Sequence, residues 1–366
     1  MPQTPCPSRR EALAGGLAVA AVAGAPAKAD DPGAFKWFDG HLHLVSQDVQ
    51  RYPLWPGPPP DGSLPPGSPP APGASVQEGK PHLKPTAEEV VRWMDQQGVE
   101  TLACIQRRSS YGTDNRYILD SADAHPDRFR AVVVLDAEDP ATPGQLRDWV
   151  KSHKIAGIRL TGAKSPDGGY PWLDSPQALK TWKTVDDHGL TMDMAYAPQF
   201  FSADALSEIL KTARRFPRVP IVLDHLGWPA VAGAPGYGFA DFPKGLDQQH
   251  NVLFKFTSGN LNILDEAKIP SAAVLRKAVD RFGAHRILWG SDMGSSAGTY
   301  AEMTQRARAA VAMLTGAEQR HVLRETGRGA FRRGGGVRIE AQAFDSIHYP
   351  LTPAEAGVQV VRRKAI

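Results

Sequence analysis

The chain has 366 residues, 42% of them hydrophobic and 22% charged, with a formal net charge of +3. That is the balance of a soluble globular protein, long enough for one large α/β domain or two small ones. No run of like charge or basic stripe points to nucleic acid, and no apolar stretch of about 18–20 residues points to a permanent membrane span.

In chain order, Ser8-Arg9-Arg10 precedes an uncharged Ala-, Gly- and Val-rich stretch from Ala12 to Ala27, closed by the small-x-small site Ala27-Lys28-Ala29. Residues 1–29 are therefore expected to be a cleaved leader resembling the twin-arginine export signal, with the periplasm as destination. Cys6 would leave with it, so Cys104 is expected to have no intrachain partner and to pack as a small apolar residue. Residues 30–333 form the expected folded domain. The first strand is read from Phe35-Lys36-Trp37-Phe38 and closes on Asp39-Gly40-His41-Leu42-His43. Side chains alternate along a strand, so His41 and His43 share one face, about 7 Å apart along it, and Leu42 takes the other. A proline- and glycine-rich insertion, 52–85, follows and excludes helix and central strand.

From Thr86 the pattern is regular. Thr86 with Glu89 three residues on starts a helix to Gln97. Strands are expected at Val99–Gln106, Phe129–Leu135, Ile155–Leu160, Leu190–Tyr196, Val219–Leu223, Val252–Thr257 and Arg286–Gly290. Helices are expected at Asn115–Ala124, Gln145–Ser152, Pro176–His188, Ala203–Phe216, Ser271–Phe282 and Thr299–Leu314. Strand–helix alternation implies parallel pairing, and eight units imply a closed (β/α)8 TIM barrel of the α/β class. A doubly wound open sheet is disfavoured because no Gly-x-Gly-x-x-Gly follows the first strand. After Gly334-Gly335-Gly336 the periodicity fades, and 334–366 is expected to be a poorly ordered tail.

Polar residues gather at the C-terminal ends of these strands, the face where such barrels carry their sites. The first strand supplies His41 and His43, the fourth Arg159, the sixth Asp224 and His225, and the eighth Asp292. Imidazoles and a carboxylate converging there suit one divalent ion of the zinc type with a position left for water.

Asp39-Gly40-His41-Leu42-His43, Asp224-His225-Leu226-Gly227 and Trp289-Gly290-Ser291-Asp292 resemble motifs of the amidohydrolase superfamily, in particular its amidohydrolase-2 group. Arg51-Tyr52-Pro53-Leu54, Tyr111-Gly112-Thr113-Asp114-Asn115 and Arg215-Phe216-Pro217 are similar to its sugar-lactone and 2-pyrone-4,6-dicarboxylate lactonase branch. The resemblance implies hydrolysis of a cyclic ester by an activated water. It makes His41, His43 and Asp292 the metal ligands, Asp292 also the general base that returns the proton to the leaving oxygen, and His225 a ligand or oxyanion donor. Met192-Asp193-Met194-Ala195-Tyr196 holds no histidine where many metal-binding relatives have one, and Arg159-Leu160 holds no bridging lysine. The resemblance thus leaves metal-free catalysis open, with the histidines polarising the carbonyl. Arg159 is expected to bind an anionic group of a small-molecule substrate, joined by Tyr111, by Arg108 with its neighbour Arg107, and by Lys255, which alternates with Phe254 and Phe256. Trp228 is expected to pack its loop, and Asp193 to hydrogen-bond within the barrel. The runner-up is a metal-dependent, non-oxidative decarboxylase of an aromatic or muconate-type acid. The residues assign no oligomeric state.

Overall fold

The computed structural model describes residues 32–56, 79–162, 164–195, 205–230 and 232–335. The expected leader, residues 57–78 of the insertion and residues 336–366 of the tail lie outside the described residues. Eight strands follow in order: β1 (Trp37–Leu42), β2 (Val99–Ile105), β3 (Phe129–Val134), β4 (Gly157–Leu160), β5 (Thr191–Met194), β6 (Ile221–Leu223), β7 (Val252–Thr257) and β8 (Ile287–Gly290). Each pairs in parallel with the next. The chain folds as the expected (β/α)8 barrel.

The ring closes where β8 returns to β1. Asp292 N donates to the His41 carbonyl at 2.7 Å and His43 N to the Met293 carbonyl at 2.9 Å. Two glycines let the strands approach: a Cβ on Gly40 would lie 2.6 Å from Leu288 Cδ1, and one on Gly290 would lie 2.6 Å from His41 Cβ. Asp39 adds a side-chain rung. Its Oδ1 accepts from Ser291 N at 2.8 Å and from His41 N at 3.0 Å, and its Oδ2 accepts from the Tyr300 hydroxyl at 3.0 Å.

Alternation sorts the strand residues into two cores. Phe38, Val132, Ala156, Val222, Leu253 and Leu288 fill the lower barrel above Phe331, whose ring lies parallel to Phe38 with centroids 6.3 Å apart. Trp37, Leu42, Cys104, Met192, Phe254 and Trp289 face outward into the layer shared with the helices. Cys104 packs there as a small apolar residue, as expected, and burial pushes its pKa up to about 12.

A local capping signal marks the first helix. Thr86 and Glu89 form the expected capping box, and the helix Ala87–Gln97 ends at Gly98 with φ 75°, a conformation that suits glycine. The helix Ser271–Phe282 has the expected bounds. The helix begun at Tyr300 ends at Ala310 and tightens to a 3-10 turn over Val311–Met313, short of the expected Leu314. The helix Ser258–Glu266 is not among the expected ones; it starts directly after β7, capped by Thr257 with Asn260 three residues on. Nor are the short helices between Gly316 and Ala330. No helix among the described residues is long and apolar enough to cross a membrane.

Candidate active site

The strand ends bring the expected residues together at one rim. His41 and His43 are buried, with their Nε2 atoms 3.2 Å apart. The Nδ1–H of His43 donates to the Ile105 carbonyl at 2.9 Å, which turns the Nε2 lone pair toward the barrel axis. Asp292 approaches from β8, with Oδ1 3.5 Å from His41 Nε2. Its Oδ2 accepts from the Ser296 hydroxyl at 2.7 Å. Asp292 holds φ 57°, a left-handed conformation that Asp and Asn tolerate better than most residues.

His225 sits in the same region on a left-handed turn, φ 51°, fixed by Asn260 Nδ2 donating to its carbonyl at 2.9 Å. Its Nδ1 meets Thr257 Oγ1 at 2.5 Å, and its ring lies 5.7 Å from that of His41. Gly259 makes room, since a Cβ there would lie 2.9 Å from His225 Nδ1. Trp228 packs as expected, its ring 4.4 Å from that of His225.

Beneath the histidines lies a buried charge cluster. Arg159 on β4 donates through Nη2 to Asp224 Oδ2 at 2.6 Å, and its Nε lies 3.6 Å from Asp193 Oδ1. Lys255, fully buried, donates to Asp193 Oδ2, to Asp224 Oδ1 at 3.1 Å and to His41 Nδ1 at 2.9 Å. It points into the barrel as the alternation predicts, but all three ammonium protons meet acceptors inside the protein. Asp193 is hydrogen-bonded inside the barrel, as expected. Tyr111 has a hydroxyl that accepts from Ser46 N at 2.8 Å, and it packs with Val45 and Tyr52. On the same loop, Arg108 Nε is buried with no hydrogen-bond partner among the described residues. The charge of neighbouring Arg107 reaches His43 and helps depress its pKa. Asp39, Thr257, Asn260 and Ser296 were not read as site residues. Only the Thr257-x-x-Asn260 spacing, which resembles a helix cap, offered a signal.

Two donor groups among the described residues have metal-ligand spacing: His41, His43 and Asp292, and His41, Asp224 and His225. The first fits an ion better. Two nitrogens about 2.0–2.1 Å from a tetrahedral zinc-type ion lie roughly 3.3 Å apart, close to the separation found. Neutral imidazoles are what such an ion needs. Burial, with Lys255 as the second cause, lowers the pKa of His41 to about 4; burial followed by the charge on His41 holds His43 well below 6.5; burial also lowers His225.

These shifts set a pH dependence of stability. A histidine with a depressed folded pKa takes its proton more readily unfolded, so its stabilisation is present above about pH 6.5 and lost as pH falls toward the folded value. His41, His43 and His225 act this way, as do His285, lowered to about 4 by burial, and His321. Asp39 and Asp193, both raised to about 6 by burial, act oppositely, gaining stability as pH falls through 6. Five groups outweigh two. The urea midpoint is expected to be lower at pH 5 than at pH 7.5, and an equal or higher midpoint at pH 5 would contradict this balance.

At the opposite, N-terminal end of the barrel a cavity of about 1050 Å³ is lined by Lys36, Phe38, Arg130, Phe331 and Arg333 among others. None of the clustered histidines reaches it, and in this fold that end serves stability.

The sequence profile of a family described as Amidohydrolase matches residues 38–333. An L-fucono-1,5-lactonase of Burkholderia ambifaria is 30% identical over 187 residues, which is 49% of this chain and 60% of that protein. The match therefore spans less than two thirds of that relative. Three solved structures share the fold over 81% of this chain. A putative 2-pyrone-4,6-dicarboxylic acid hydrolase from Pseudomonas putida has 19% identity, TM-score 0.57 and 97% of its own chain covered. An amidohydrolase from Burkholderia multivorans with bound zinc has 19% identity, TM-score 0.59 and 98% covered. A 2,6-dihydroxybenzoate decarboxylase from Rhizobium has 17% identity, TM-score 0.55 and 98% covered.

Proposed function

The chain belongs to the amidohydrolase family, and from that premise we propose that it is a hydrolase that opens a lactone bearing carboxylate or hydroxyl groups. The observation that carries this reading is the placement of Asp292 Oδ1 3.5 Å from His41 Nε2, with His43 Nε2 3.2 Å from the same atom. A carboxylate and two imidazole nitrogens converge there on the point where the attacking water would be held. Asp292 takes the proton of that water as its oxygen adds to the lactone carbonyl. The ring C–O bond then breaks, and Asp292 returns the proton to the departing oxygen. His225 flanks the carbonyl oxygen, held by Thr257 at Nδ1. Arg159, anchored to Asp224 through Nη2, orients an anionic group with its remaining N–H groups. His41, His43 and Asp292 would hold a divalent ion, which when bound supplies a more acidic water and a polarised carbonyl.

The lactonase of Burkholderia ambifaria and the pyrone hydrolase support this choice of reaction; the decarboxylase shares the barrel. A pH-stat assay over sugar 1,5-lactones and carboxylated pyrones, with zinc and with chelator, separates the two. Enzyme-dependent acid release without carbon dioxide is expected. Carbon dioxide evolved from a dihydroxybenzoate, with every lactone untouched, would assign the decarboxylase chemistry instead.

A further inference from the structure

The hydrogen bonds around His41 have a direction that the proposed chemistry does not use. Lys255 Nζ has three protons and three neighbours: two carboxylates, Asp193 and Asp224, and His41 Nδ1 at 2.9 Å. An ammonium only donates, so His41 Nδ1 accepts and its ring proton lies on Nε2. That proton points at His43 Nε2, 3.2 Å away, which is free to accept because the His43 ring proton is spent on the Ile105 carbonyl. The chain Lys255–His41–His43–Ile105 is thus satisfied from end to end by its own protons. In this arrangement the His41 nitrogen that faces Asp292 carries a hydrogen and offers no lone pair.

A second partner competes for the same ring atom. Asp224 Oδ1 lies 3.3 Å from His41 Nδ1 and can only accept while ionised. Burial opposes its charge, but Lys255 and Arg159 hold its pKa well below the usual carboxylate range. If His41 turned its proton to Asp224, Nε2 would present a lone pair, the state in which a carboxylate-backed histidine holds a metal ion. The two arrangements carry equal charge; the second trades the Lys255–His41 and His41–His43 bonds for one from His41 to Asp224.

We propose that Lys255 is a positioning residue that holds the His41 proton on Nε2, so that Lys255 and Asp224 together select between a self-bonded histidine pair and an ion-holding one. The first half stands on hydrogen-bond direction alone. The second half rests on the reading of His41 and His43 as ion ligands. Lys255 then lowers the affinity of the site for a zinc-type ion.

The test uses the full chain, stripped with chelator and labelled with 15N-histidine, with the His41 signal identified by its loss in His41→Asn. Long-range 1H–15N spectra distinguish the two tautomers. In the unaltered protein His41 should be protonated at Nε2 and bare at Nδ1; protonation at Nδ1 overturns the proposal without any variant of Lys255. The double variant Lys255→Met/Asp193→Asn removes one positive and one negative charge together, so no lone buried charge is left to unfold the barrel. It should move the proton to Nδ1 and tighten zinc binding, measured against a competing chelator, at least tenfold, as such supporting contacts do elsewhere. An unmoved proton, or a moved proton with unchanged zinc affinity, overturns the proposal. His43→Ala reports on the ion reading separately. If zinc binds equally with and without His43, that reading fails while the assigned role of Lys255 on the His41 proton stands.

Discussion

Asp292→Asn is expected to lower kcat by about a thousandfold, within the range a positioned general base contributes, while KM changes only a few-fold. The substitution removes the proton-accepting carboxylate with little change in shape, and measuring bound zinc in the variant separates that loss from any loss of the ion the same carboxylate would hold. Asparagine has nearly the same volume, tolerates the left-handed φ of 57° that this position requires, and its Oδ1 can still accept from the Ser296 hydroxyl. Packing is equally undisturbed: the main-chain bond from Asp292 N to His41 O, which joins β8 to β1, is independent of the side chain. What is lost is a group that can take a proton from water and give it back, together with one anionic ligand for the ion. Steady-state kinetics on whichever lactone the acid-release assay identifies check the result. A variant within tenfold of the parent in kcat would remove Asp292 from the role assigned to it. Ser296→Ala is a milder companion: it loosens one carboxylate oxygen without removing the base, so its loss should be far smaller than that of Asp292→Asn.

The fold was legible because the eight strands are short β-branched or apolar runs separated by helices with capping signals, such as Thr86 with Glu89. Alternation placed His41 with His43, and Lys255 opposite Phe254 and Phe256, since direction along a strand depends only on neighbours in sequence. It did not say what Lys255 would meet. Its partners come from β1, β5 and the turn after β6, and three donors can be assigned to three acceptors only once those elements are in place. Tyr111 shows the same limit from the other side. An aromatic hydroxyl after a barrel strand reads as a substrate contact, but the sequence does not show that Ser46 N, 65 residues earlier, donates to that oxygen. His225 was legible as a residue and illegible as a geometry, because nothing in Asp224-His225-Leu226-Gly227 announces two successive non-glycine residues at positive φ. Asp39 was read only as the first letter of a motif; its partner Ser291 lies 252 residues away.

That last contact gives the largest expected effect on stability. Asp39→Ala should destabilise the protein by about 3–5 kcal/mol, because it strips acceptors from two buried main-chain N–H groups and the Tyr300 hydroxyl, each costing about 1–3 kcal/mol when left unsatisfied, less what local rearrangement recovers. Asp39→Asn should cost about 1 kcal/mol or less. The contrast follows from what the carboxylate does at the seam. Burial raises its pKa to about 6, so its charge is a liability there, offset in part by bonds from Ser291, His41 and Tyr300. An asparagine Oδ1 still accepts from Ser291 N and His41 N, and its Nδ2 can donate to the Tyr300 oxygen once that hydroxyl turns. Hydrogen-bond acceptance, and not charge, is therefore what joins β1 to β8. Urea unfolding of both variants near pH 7.5 checks the order. If the two are equally destabilised, the charge matters and the seam is held electrostatically. Because His41 and Asp292 stand on the two strands that Asp39 ties together, the alanine variant should also lose turnover under conditions where it remains folded, and the asparagine variant should retain most of it.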